Sequence, residues 1–138
     1  MKKATLLPVA LALCASCQLP GAGDVAQVRS ALESFIEAAR EGRIERALDF
    51  IDPSSPERSL LAELDEADPQ SRSRELERMQ RAAREGLTGA ELFIGSVTIQ
   101  SDRAEMECSV LRAGQERPFT VYAVRRGRSW LLESVPAF

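Results

Sequence analysis

The chain has 138 residues, 44% of them hydrophobic and 28% charged, enough for one folded domain and too few for two ordinary ones. It holds no histidine, and its only lysines are Lys2 and Lys3. These absences exclude a Ser-His-Asp triad, a Cys-His pair, a histidine metal site and, beyond residue 3, lysine Schiff-base chemistry.

Of the 18 basic residues, 16 are arginines, and all of them lie beyond residue 16, as do the 21 acids. That part therefore carries a net charge of −5, which opposes the phosphate backbone of a nucleic acid rather than attracting it. Carboxylates, Tyr122 and cysteine are what remain for catalysis, and no spacing of these calls for a metal or a cofactor.

Residues 1–16, MKKATLLPVALALCAS, run from two lysines through an apolar stretch to small residues, the layout of a secretory signal. The stretch is too short to span a bilayer, which needs about 20 apolar residues. Cys14-Ala15-Ser16-Cys17 then resembles the lipobox of bacterial lipoproteins, although Cys14 stands where leucine is usual. The resemblance implies cleavage before Cys17 and lipidation of Cys17. Gln18 after it, rather than Asp, implies the outer membrane, with the folded domain in the periplasm. A C-x-x-C redox pair would need to open a helix in a βαβ unit, and here it closes an apolar run before Leu-Pro-Gly. A plain cleaved signal is the other alternative. With Cys17 acylated, Cys108 has no partner and reads as a small buried hydrophobe.

Residues 17–23 form a short tether, and a single domain is expected over 24–138. Asp24 and Gln27 have capping-box spacing, so a helix should start at Asp24 and bury Val25, Val28, Leu32, Phe35, Ile36 and Ala39, ending near Gly42. A second short helix carries Ile44, Ala47, Leu48 and Ile51 and stops before Pro53. Ser55-Pro56 and Asp68-Pro69 each place a cap before a proline and start two more helices. The last of these, running to Gly86, interleaves arginine with glutamate, the composition of a solvated helix face.

From Leu92 the apolar period becomes two. Four strands are expected over 92–100, 103–112, 116–125 and 129–135, joined by two-residue turns at Ser101-Asp102, Ala113-Gly114 and Arg126-Gly127. Those turns pair Val97 with Met106, Cys108 with Phe119, and Ala123 with Trp130. One face then holds Phe93, Val97, Ile99, Ala104, Met106, Cys108, Val110, Phe119, Val121, Ala123, Trp130 and Leu132, with Ser134 its only polar member. The other face is half polar, with Ile94, Glu105, Glu107, Tyr122, Glu133 and Val135, and meets water or a second copy of the protein.

The fold class is α+β: N-terminal helices packed on a four-stranded antiparallel meander. The helix-turn-helix AAREGRIERALDFID and the closing RRGRSWLLESVPAF resemble the nuclear-transport-factor-like superfamily, whose curved sheet wraps its helices into a cone. Its isomerases and dehydratases carry a carboxylate, histidine or tyrosine inside the cone. In this chain the inferred inner face has no acid, and only Asp49 and Asp52 are candidates to point inward, where an apolar cone would raise a carboxyl pKa. The expectation is a non-catalytic envelope domain that binds an apolar small molecule or an envelope protein. The alternatives are an isomerase-like enzyme using Asp49 or Asp52, and a structural module plugged by Trp130, Phe35 and Phe119. Replacing Cys17 with Ser should move the protein from the membrane fraction to the soluble fraction; unchanged membrane association would refute lipidation at Cys17.

Overall fold

A computed structural model describes residues 22–138. The expected signal segment and lipidation residue Cys17 lie outside the described residues. Among the described residues, no helix is long and apolar enough to cross a membrane. Four helices, α1 (Ala22–Arg40), α2 (Ile44–Leu48), α3 (Pro56–Ala67) and α4 (Pro69–Leu87), precede four strands, β1 (Ala90–Gln100), β2 (Arg103–Arg112), β3 (Gln115–Arg126) and β4 (Ser129–Leu132). The strands form one antiparallel sheet in the order β1-β2-β3-β4, which is the expected α+β meander.

Helix α1 packs against both β1 and β4, so it crosses one face of the sheet. Its buried stripe is Val28, Leu32, Phe35, Ile36 and Ala39, the helical spacing read from the sequence. The helix starts earlier than expected, at Ala22, and Asp24 does not cap it. The Asp24 carboxylate instead accepts from Arg125 at 2.8 Å and from the indole of Trp130 at 3.1 Å, a tertiary pairing that wins over the local one. At the other end Arg43 N–H donates to Ala38 C=O and Gly42 N–H to Ala39 C=O, closing α1 with a Schellman pattern.

Ser55 and Asp68 cap α3 and α4 through their side chains, each ahead of the proline that opens the helix. Between α2 and α3, residues 50–52 run alongside β4. Leu132 N–H donates to Phe50 C=O at 2.8 Å, and Asp52 N–H donates to Leu132 C=O at 2.7 Å.

The first two hairpins have the expected two-residue turns, and Val97 pairs with Met106 and Cys108 with Phe119. The third turn is Gly127-Arg128, one residue later than expected. Ala123 therefore faces Leu132, and Arg125 faces Trp130. Gly127 sits at φ +63°, and a positive φ at the first turn position is what glycine supplies there. The pairing moves by two residues, so side-chain parity is kept and Trp130 and Leu132 remain on the inner face, buried.

The other correction is in β1. Ile94 pairs with Cys108 while Val97 pairs with Met106, so Gly95 and Ser96 together oppose Glu107 in a β-bulge. A Cβ at Gly95 would come within 2.9 Å of the Glu107 carbonyl oxygen, which explains a glycine inside this strand. The extra residue reverses the faces of β1 before it. Ile94 turns inward against the core, and Phe93 turns outward at 48% exposure. β4 also ends at Leu132 rather than 135, so Val135 leaves the sheet and Ser134 is exposed. On the outer face Tyr122 lies under the Arg103 guanidinium, 4.5 Å from its ring centre.

The bulge makes opposite forecasts for neighbours. Ile94→Asp should cost roughly 2–4 kcal/mol by placing a charge against the core, while Phe93→Asp should stay within about 0.5 kcal/mol. Urea denaturation of both variants decides, and the reverse order would mean an unbulged strand.

Candidate functional site

The interior that a cone would leave for a ligand is filled. Leu32, Phe35, Ile51, Met106 and Leu132 are fully enclosed there, and Trp130 is buried beside them. Removing such a side chain as Phe35 typically costs about 3–5 kcal/mol, so these groups belong to the core.

Open space remains at one end of the sheet, where residues 133–138 turn back over the helices. Glu133 N–H donates to Tyr122 C=O at 2.9 Å. Val135 N–H donates to Glu57 Oε1 at 3.3 Å. The Arg117 guanidinium donates to Ala137 C=O at 3.3 Å. Phe138 stacks on Phe35 with ring centres 6.3 Å apart and meets Phe119 edge-on at 5.9 Å. Between this segment and α1, α2 and α4 lies a cavity of about 290 Å³. Its walls are mainly Phe35, Ile44, Met79, Ala82, Ala83 and residues 135–138, with Glu57 and Arg78 as its polar members.

Those two polar groups differ. Arg78 is tied to Glu75, with Nε 3.0 Å from Oε2, and the same hydrogen bond holds the Glu75 carboxyl below its ordinary range. Glu57 Oε2 is buried and has no hydrogen-bond partner among the described residues. The sequence hides this residue, because a Ser-Pro-Glu start presents Glu57 as an ordinary acid in a first helical turn.

The two carboxylates singled out from the sequence lie elsewhere. Asp49 is exposed at the C-terminal end of α2, beside Glu45, Arg58 and Arg72. Asp52 is 5% exposed, but both its oxygens are engaged: Arg126 donates at 3.1 and 2.9 Å, and the Ser54 hydroxyl at 2.5 Å. The Arg126 hydrogen bond is the largest influence and lowers the Asp52 pKa, outweighing burial. This is opposite to the raised value expected of a carboxyl in an apolar cone. Cys108 is buried on the inner face, and burial pushes its thiol up to about 11, which leaves little thiolate near neutrality. Among the described residues no group of acids and cysteines is placed to hold a metal ion.

A second concavity, an open groove of about 750 Å³, runs between α1 and β1. Its arginines are already spent on the strand: Arg29 donates to Ile94 C=O and Gly95 C=O, and Arg40 to Ala90 C=O. The less open cavity under residues 135–138 is therefore the better candidate for a small-molecule site.

No protein-family model matches the sequence, and no curated protein matches it. Several solved structures resemble it over most of its length, three of them as follows. A candidate NTF2-like transpeptidase from Campylobacter jejuni shares 18% identity at a TM-score of 0.48, over 83% of this chain and 97% of that one. An NTF2-like protein of unknown function from Shewanella oneidensis shares 10% at 0.48, over 80% and 95%. A de novo designed protein with a curved β-sheet shares 16% at 0.43, over 77% and 93%.

The Asp52–Arg126 pair makes a pH forecast. A lowered folded pKa stabilises the fold above the ordinary aspartate value of about 3.9, and that contribution is lost as pH falls through the folded pKa. Arg126→Gln should therefore lower Tm by a few degrees at pH 7, and the gap to wild type should narrow as pH falls below the ordinary aspartate value. A gap that stays constant across that range would show that Asp52 does not depend on Arg126.

Proposed function

We propose that this is a lipid-anchored protein of the bacterial envelope whose folded domain binds a small, mostly apolar molecule without chemically transforming it. The lipobox-like Cys14-Ala15-Ser16-Cys17 segment supports the anchor, with several acyl chains on Cys17 needed for stable attachment. One observation carries the binding reading. The mainly apolar cavity of about 290 Å³ is closed on one side by residues 135–138, outside the sheet, rather than by the core.

The absence of histidine and the engagement of Asp52 by Arg126 and Ser54 favour binding over isomerase-like proton transfer. Residues 135–138 are held by hydrogen bonds to the side chains of Glu57 and Arg117 and by the packing of Val135 and Phe138 against the core, and they lie outside the sheet.

A one-ring apolar probe such as ethylbenzene should shift the amide signals of Ile44, Met79 and Ala83 in two-dimensional NMR spectra and raise Tm by a few degrees near saturation. Ala83→Leu, which fills the cavity, should abolish both effects. Shifts confined to the α1–β1 groove, or none at millimolar probe, would count against this site.

A further inference from the structure

We propose that Arg128, in the turn between β3 and β4, sets the domain end-on against the anionic headgroups of a phospholipid bilayer; this rests on the lipid anchor proposed above at Cys17. Covalent geometry limits the orientation first. Four residues separate Cys17 from Ala22, where α1 begins. Fully extended, that tether spans at most about 18 Å. The domain is longer: ten-residue β2 alone covers about 33 Å. Helix α1 runs lengthwise, since Asp24 near its start meets Arg125 of β3 while Arg40 at its end meets Ala90 C=O, and Ala90 pairs with Arg112 beside the turn Ala113-Gly114. The tether is thus too short for the domain to stand on Ala113-Gly114, and a domain standing upright must stand on the end where α1 starts.

The charges at that end decide what kind of surface fits it. Arg125 N–H donates to Asp102 C=O at 2.7 Å, so the turns Ser101-Asp102 and Gly127-Arg128 lie side by side there. Three of the nearby arginines are matched within the fold: Arg103 with Glu133 at 3.0 Å, Arg125 with Asp24 at 2.8 Å, and Arg126 with Asp52 at 2.9 Å. Arg128 is exposed and has no ion pair among the described residues. Its guanidinium is the donor left over, and its planar fork matches the oxygens of a phosphate. One arginine near an anionic surface is worth roughly a fivefold preference, too little to recruit a free protein. It is enough to orient a domain that the anchor already holds within the reach of its tether.

The test measures energy transfer from a fluorophore at either end of the acylated chain to a headgroup-labelled lipid in vesicles. Cys108 is buried, so an exposed cysteine from Ser129→Cys or Gln115→Cys takes the label. In vesicles of phosphatidylglycerol and phosphatidylcholine, the Ser129 position should transfer at least about twofold more than the Gln115 position, which lies a strand length away. Transfer from the Ser129 position should fall in pure phosphatidylcholine, and Arg128→Glu should produce the same fall in the anionic vesicles. Equal transfer from the two positions would mean that the domain lies on its side, and would overturn the proposal. A Ser129 signal indifferent both to phosphatidylglycerol and to Arg128→Glu would leave the tether alone in charge and overturn the contact. If mass spectrometry finds no acyl group on Cys17, the anchor reading fails and this proposal with it, whereas an acylated chain with equal signals sinks this proposal alone.

Discussion

Helix α1 is fastened to both sides of the sheet by charged groups, and the rest of the domain is arranged around that fastening. At one end Asp24 accepts from Arg125 and from the Trp130 indole, while the Arg125 guanidinium lies 5.0 Å from the Trp130 ring centre. Further along, Arg29 and Arg40 reach the backbone of β1. Apolar burial alone is non-directional and would let the helix slide over the sheet. Charge-assisted hydrogen bonds at separate points along the helix set its position and its angle. The enclosed side chains of Val28, Leu32 and Phe35 then meet Met106 and Leu132 in one register.

The same contacts deal with the edges of the sheet. An edge strand presents unpaired backbone groups that invite pairing with another chain. On β1, carbonyls of Ala90, Ile94 and Gly95 are taken by guanidinium groups of α1. The bulge contributes here, since two successive carbonyls, Ile94 and Gly95, both accept from Arg29. On β4, residues 50–52 pair alongside Leu132. That pairing places Asp52 within reach of Arg126, at the end of β3. The chain therefore spends much of its arginine on backbone and carboxylate partners within the fold.

Much of this order can be read from the residues. The alternating pattern of residues 97–132 identified the buried face, because parity survives any even shift in pairing. That is why the third turn could move to Gly127-Arg128 without moving Trp130 or Leu132 off the core. An odd shift does not survive, and the bulge at Gly95 is one. It exchanged Phe93 and Ile94, and its only trace in the sequence is a glycine inside a strand. The site was harder to see for a different reason. Val135 closes the expected run of β4, and Pro136 after it marks the end of a strand without saying that residues 135–138 fold back beside α1 and α4. The partner that draws them away, Glu57, is 78 residues distant from Val135 in sequence.

Asp52 and Glu57 show why the location of an acid matters more than its type. Both stand near prolines, Asp52 in the connection before α3 and Glu57 in the first turn of that helix; Asp52 is buried and Glu57 Oε2 is shielded from water. Asp52 meets an arginine and a serine, so its charge is neutralised, its pKa is lowered, and no acceptor capacity faces a cavity. Glu57 accepts one backbone N–H through Oε1, and its Oε2 is shielded with no donor among the described residues. A shielded carboxylate is stable only where donors surround it, and the fold supplies a full set to Asp52 alone. The acids that the sequence brought forward serve the scaffold, in Asp52, and the surface, in Asp49.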